Sequence, residues 1–138
     1  MASFNKFNSF VEAIAEKVHN LGSDQLTVAL CAAANAPVAT NTQLSNLTQI
    51  SYTNLSSRAI TTTSSAQTSG TYKLTLTDLV LSASGGSVAA FRYIVIYNDT
   101  ATNDELIGWY DYGSDLTLAS GESLTIDFDG TNGVLTLA

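Results

Sequence analysis

Between residues 91 and 137 the chain repeatedly alternates apolar and polar side chains with a period of two, a pattern no helix satisfies. Residues 91–97 read Phe-Arg-Tyr-Ile-Val-Ile-Tyr, and residues 106–112 read Leu-Ile-Gly-Trp-Tyr-Asp-Tyr. A polar, turn-rich loop at 98–105 separates them. Residues 124–128 alternate again, and residues 134–137 form a last apolar run after an Asp-Gly-Thr-Asn-Gly turn. β-branched and aromatic residues bounded by Gly, Asn and Asp predict antiparallel strands joined by hairpins. The simplest expectation is a C-terminal meander. Within 91–97, Phe91, Tyr93, Val95 and Tyr97 are expected on one face and Arg92, Ile94 and Ile96 on the other. Large apolar groups on both faces mark a central strand buried on two sides.

Upstream, residues 25–30 form a first strand pattern, and residues 49–52 and 58–62 two short ones. Residues 72–77 alternate cleanly, and residues 79–81 continue them past Asp78. Residues 116–119 add another short run. Residues 32–48 are irregular and hold the only proline, Pro37, which argues against a central strand there. Long connections of this kind often carry function. Residues 3–19 are the one helix candidate, with Ser3 as cap and Phe4, Phe7, Val11, Ile14 and Val18 along one stripe. That helix either packs on its own sheet or docks on another subunit.

The fold class is therefore mainly β: an antiparallel sandwich of jelly-roll or Greek-key type, with seven to nine strands and one N-terminal helix. Residues 1–22 are expected to be a helical segment packed on a single domain of residues 23–138.

Only 12% of the 138 residues are charged, whereas a free soluble surface alone usually carries about 25–35%. Ser, Thr and Asn supply the polarity. Such a surface is easily desolvated and suits a protein packed against others. The net charge of −7 is uneven: residues 1–98 hold all five bases and four acids, and residues 99–138 hold eight acids and no base. Without a cationic stripe, direct binding to nucleic acid is not expected. No run of about 18 apolar residues is present, so no membrane span is expected. The N-terminus lacks the pattern of a secretion signal, which implies synthesis and folding in a cytoplasm.

No residue pattern predicts catalysis, a metal or a cofactor. Cys31 is alone among apolar neighbours and reads as a buried, inert thiol. His19 is the only histidine and has no nucleophile motif beside it; after a helix, it is expected to meet the last carbonyls. The stretch 127–133 resembles a calcium loop but has Asn132 where the loop needs Gly and Ala138 where it needs Glu. Asp129-Gly130 and Asn132-Gly133 read instead as turns. Trp109, Tyr110 and Tyr112 could form a stacking platform for a sugar ring.

Two regions carry a likeness to a known group. Phe7-Asn-Ser-Phe-Val-Glu-Ala-Ile-Ala-Glu-Lys-Val-His-Asn-Leu-Gly-Ser-Asp24, with Asn35-Ala-Pro-Val-Ala-Thr-Asn-Thr42, resembles the start of small virion proteins of tailed bacteriophages. Tyr97-Asn-Asp-Thr100, Leu106-Ile-Gly-Trp-Tyr-Asp-Tyr-Gly113 and Thr131-Asn-Gly-Val-Leu-Thr-Leu137 resemble the same group. It is similar to capsid cement, or decoration, proteins, which bind the outside of an HK97-type head. The resemblance implies a non-catalytic structural protein on the capsid surface. Its partners would be the major capsid protein and a second copy of itself in a homodimer. Phe4, Phe7, Phe10, Pro37 and Val38 are the expected contact residues. The second reading is a carbohydrate- or receptor-binding β-sandwich of a phage tail, using Trp109, Tyr110 and Tyr112.

Overall fold

The computed structural model describes residues 2–138. It is mainly β with one α-helix, and every strand pairing is antiparallel. In chain order come β1 (Asn5–Lys6), α1 (Ser9–Ala15), β2 (Leu26–Cys31), β3 (Ala59–Ile60) and β4 (Thr62–Thr68). Next are β5 (Thr71–Leu76), β6 (Leu79–Ser82) and β7 (Phe91–Asn98), then β8 (Leu106–Leu116), β9 (Ser123–Ile126) and β10 (Leu135–Leu137). A five-stranded sheet has the order β1-β8-β7-β2-β3. A three-stranded sheet β10-β5-β4 and a two-stranded sheet β6-β9 complete the set. Among the described residues the ten strands exceed the expected seven to nine: β1, of two residues, is too short to show a period, and β4, of Thr, Ser, Ala and Gln, has no apolar alternation to show one.

The five-stranded sheet is buried on both faces. On one, Leu26, Val28 and Leu30 of β2 and Ile94 and Ile96 of β7 meet Leu74, Leu76, Leu81 and Ile126 from the two smaller sheets. On the other, Ala29, Cys31, Val95 and Tyr97 lie under Phe7, Leu44 and Leu47. The irregular connection 32–48 thus acts as a cover: its 3₁₀ turn Leu44–Asn46 brings Leu44 and, just beyond, Leu47 onto the sheet. Burial of each such side chain contributes about 1.5–3 kcal/mol, so both faces are strongly specified.

Four expectations need correction. First, the helix is Ser9–Ala15, not 3–19, and Ser3 is no cap; Asn5 and Lys6 are a strand paired with Trp109 and Gly108. A lone short helix is marginal in water, so pairing with β8 outweighs local propensity for these residues. Lys17, at φ 67°, ends the helical path before Asn20 and Gly22 can. Val11 is half exposed, and Phe10 takes the buried position instead.

Second, residues 91–137 are not a meander. Only β7 and β8 pair as sequence neighbours in that stretch; β9 pairs with β6 and β10 with β5. β8 already has β1 on its far side, so the chain crosses to the other layer. Such crossings are compatible with Greek-key connections. Third, a register shift between Phe91 and Tyr93 turns Phe91 to the Ile94 and Ile96 face, away from Tyr93. Bulges flip everything beyond them, and composition does not reveal them. Fourth, residues 49–52 form no strand; Tyr52 instead donates its hydroxyl to Gln49 and accepts from the Leu30 N–H at 3.0 Å.

Phe7 and Phe10 are 0% and 2% exposed, so these two expected contact residues belong to the chain's own core. Phe7→Ala should cost about 3–5 kcal/mol of stability, measured by denaturant unfolding. Deleting residues 1–10 should unfold the domain rather than leave a folded remnant, which circular dichroism would register as loss of the β signal.

Candidate functional site

Each proposed contact residue has a definite place. Phe7 packs on Trp109 with ring centroids 4.6 Å apart, and Phe4 on Tyr110 at 5.5 Å. The two sets of aromatics singled out in the sequence therefore cover each other. Gly108 makes this possible: the Phe4 ring occupies the place a Cβ there would take, and the Asn5 carbonyl lies 2.7 Å from it. Alternation along β8 sends Trp109 to the Val95 face and Tyr110 to the Ile94 face. The three aromatics consequently form no common platform. Only Tyr112 is exposed, and burial pushes the Tyr110 hydroxyl up to about 12. The crevice beside Tyr110 and Tyr112 measures about 180 Å³, below the roughly 300 Å³ at which small-molecule sites begin.

Pro37 is buried, and Val38 beside it is 52% exposed. The Val38 N–H donates to Asn41 Oδ1 at 2.9 Å, and Ala39 accepts from the Asn8 N–H at 2.9 Å. These bonds tie the loop to the residue preceding α1. Val11, 50% exposed, lies three residues further along that helix. Of the five expected contacts, Val38 alone is both ordered by its neighbours and open to a partner; Phe4 is half-buried.

The acidic third of the chain makes no single patch. Asp99, Asp104 and Glu105 sit in or beside the β7–β8 loop, and Asp111 and Asp115 lie along β8 towards its other end. Eight residues of strand span about 26 Å. Most of these carboxylates bind nearby N–H groups. Asp129 accepts from Thr131 and Asn132, Asp127 from Asp129, and Glu122 from Ala119. Asp115 accepts from the Ala33 N–H across 82 residues of chain. Asp111 forms a two-pronged pair with Arg92 at 2.7 and 2.9 Å and accepts from Gly113; the Arg92 bond foremost holds its carboxyl below the usual range. The loop 127–133 is thus a turn closed by Asp129, as its residues predict. Asp104 differs: burial first, then Asp99 and Glu105, raise its pKa.

The buried histidine was not legible as a partner of the β7–β8 loop. His19 is 7% exposed, beside the Phe10 ring, four residues past the helix end rather than on its last carbonyls. Asn98 holds it. Asn98 Oδ1 accepts from the Thr100 and Ala101 N–H groups, which fixes the amide. Its Nδ2 therefore donates to His19 Nδ1 at 3.0 Å and to Asp24 Oδ2 at 2.7 Å. The ring proton is then on Nε2, which has no partner among the described residues. An open groove of about 620 Å³ runs past His19, Asn20 and Asp24 to Ser65, Tyr72 and Leu137. The Tyr72 and Ser65 hydroxyls are already bonded to each other at 2.8 Å.

Cys31 is fully buried, and burial pushes its thiol up to about 11, which leaves it protonated and unreactive at neutral pH. Among the described residues no three His, Cys, Asp or Glu side chains converge on a point that could hold a metal ion. No helix among them is long and apolar enough to cross a membrane. No family model, curated protein or solved structure matches this chain.

Gly108→Val should eject the Phe4 ring and loosen β1, costing about 1–3 kcal/mol, seen as a lower melting temperature and increased proteolysis near the N-terminus. A second outcome follows from His19. Burial lowers its pKa from 6.5, against opposing effects of Glu105 and Asp24. The unfolded chain then binds the proton more readily, so this contribution is complete above about pH 6.5 and is lost as pH falls through the folded-state value. Melting temperature should drop on acidification from about pH 7 to pH 5, with a shallower slope in His19→Gln; equal slopes would remove His19 as the cause.

Proposed function

We propose that this chain is a non-catalytic structural protein of a bacteriophage particle, a cement protein bound to the outside of the head. The observation that carries the reading is the character of the surface left once the aromatics are withdrawn. It is polar but sparsely charged, with stretches that carry no charge at all, as in β4, whose seven residues are Thr, Ser, Ala and Gln. Its acids are dispersed and mostly engaged in local turns. Hydroxyl-rich neutral surface is shed of water at lower cost than charge, which suits a face that packs against other proteins. The likeness of residues 7–24, 35–42, 97–100, 106–113 and 131–137 to phage decoration proteins supports the same reading.

The mechanism is one of linkage. A protein that binds only the assembled, expanded shell stabilises that shell by mass action. Copies seated across seams between capsomers would touch two or more capsid subunits and oppose their separation by the pressure of packaged DNA. If the protein is dimeric, the second contact becomes intramolecular and gains by avidity. Val38 and the loop around it are the proposed contact with the major capsid protein.

Gradient-purified particles should carry the protein at fixed stoichiometry, with density on the outer head in electron microscopy. Protein found only in the unsedimented fraction would overturn the reading. Val38→Asp should leave melting unchanged yet reduce head occupancy about tenfold or more, the equivalent of about 1.4 kcal/mol.

A further inference from the structure

β4 is an exposed edge unlike the others in this fold. The five-stranded sheet ends in strands of two residues, β1 and β3; β10 has three, and β6 and β9 have four each. Edges that short offer little to pair with. β4 runs for seven residues, Thr62–Thr68, with β5 on one side and nothing on the other. Among the described residues, no main-chain group of 62–68 bonds beyond β5. Natural edges of this length usually carry a lysine, a proline or an inward charge as a guard. This one has none. A register shift between Thr62 and Ser64 twists its start and leaves residues 64–68 in regular register with β5.

We infer that β4 pairs antiparallel with β4 of a second copy, about a two-fold axis at Ala66, joining the two three-stranded sheets into one six-stranded sheet. The occupant follows from self-complementarity. Under two-fold symmetry a strand edge presents the same N–H and C=O rows to itself, so no other partner chemistry is needed. The side chains agree. Centred on the regular stretch, Ala66 faces Ala66, Ser65 faces Gln67, and Ser64 faces Thr68. Every pair is small, polar or neutral, and the smallest residue sits on the axis, where the backbones need to approach. Beside it in its own protomer is Lys73 of β5, whose ammonium is already engaged by the Thr131 carbonyl at 2.9 Å.

Charge permits the approach. The protein carries −7 overall, but β4 and β5 hold no acid, and Asp129, one of the eight acids of residues 99–138, lies near the one base there, Lys73. Repulsion between copies is therefore not concentrated at the joint. The two copies of Ser65 and Gln67, whose main-chain groups face away from β5, supply roughly four main-chain hydrogen bonds. Pairing along one strand covers well under the ~1,600 Å² of a standard interface, so the dimer is expected to be weak and reversible. The inference does not depend on attachment to a head, because it concerns the purified protein alone.

Sedimentation velocity from low to high micromolar concentration tests it. The expected result is a reversible shift from monomer to dimer. Ala66→Lys, which sets two ammonium groups face to face at the axis, should abolish the shift while melting temperature shows the monomer still folded. Ala66→Cys gives an independent readout. Directly opposed antiparallel residues have Cα atoms about 4.5–5.5 Å apart, within the range a disulfide spans. Mild oxidation should therefore give a covalent dimer from Ala66→Cys and none from Val80→Cys, a comparably exposed site off this edge. A monomer at every concentration overturns the inference. So does a dimer that Ala66→Lys leaves intact or that Ala66→Cys fails to trap.

Discussion

Everything in this fold depends on the burial of the β2–β7–β8 ladder from both sides. β7 is its middle strand, and its alternation puts Ile94 and Ile96 into one core and Val95 and Tyr97 into another. A sheet with two apolar faces cannot stand with one in water, so it demands two covers. The smaller sheets provide one. The other is made from segments with little regular structure: the loop 32–48, through Leu44 and Leu47, and the N-terminal segment, through Phe7. This is why Phe7 and Phe10 go to different clusters although only three residues apart. The N-terminal segment clamps the β8 side of the sheet, supplying a side chain to each face.

That clamp consumes the residues that would otherwise be the conspicuous binding groups. Trp109 and Tyr110 pack against Phe7 and Phe4 with tilted rings, and Cys31 and His19 are buried. What remains outside is Ser, Thr, Asn, dispersed carboxylates and a few isolated apolar side chains such as Val38. The proposed attachment through the Val38 loop and the proposed pairing through β4 both draw on it, at separate places on the molecule.

The polar interior is as ordered as the apolar one. Asn98 satisfies four partners at once: two backbone N–H groups of the β7–β8 loop, His19 and Asp24. It thereby fastens that loop to the segment leading into β2. The same logic recurs at Asp115 and Ala33, and at Asp129 within its own turn. Most of the acids crowded into residues 99–138 are structural acceptors, spread over several turns and strands.

By itself the sequence determined the mainly β, antiparallel class, the two-sided burial of β7, the inert thiol and the turn at Asp129. Each depends on local information: a period of two, a run of apolar neighbours, or residues that tolerate positive φ. Tertiary structure alone decided the fate of the N-terminal segment: Phe4 and Phe7 carry helical spacing, yet Asn5 and Lys6 between them form a strand because β8 offers a partner about a hundred residues away. It also decided which layer β9 and β10 join, since that depends on which sheet edge is already occupied. The same holds for the aromatics. Spacing named Phe4, Phe7, Trp109 and Tyr110 as notable, but only the fold brings them together, because contact between distant segments is set by packing and leaves no period in the chain.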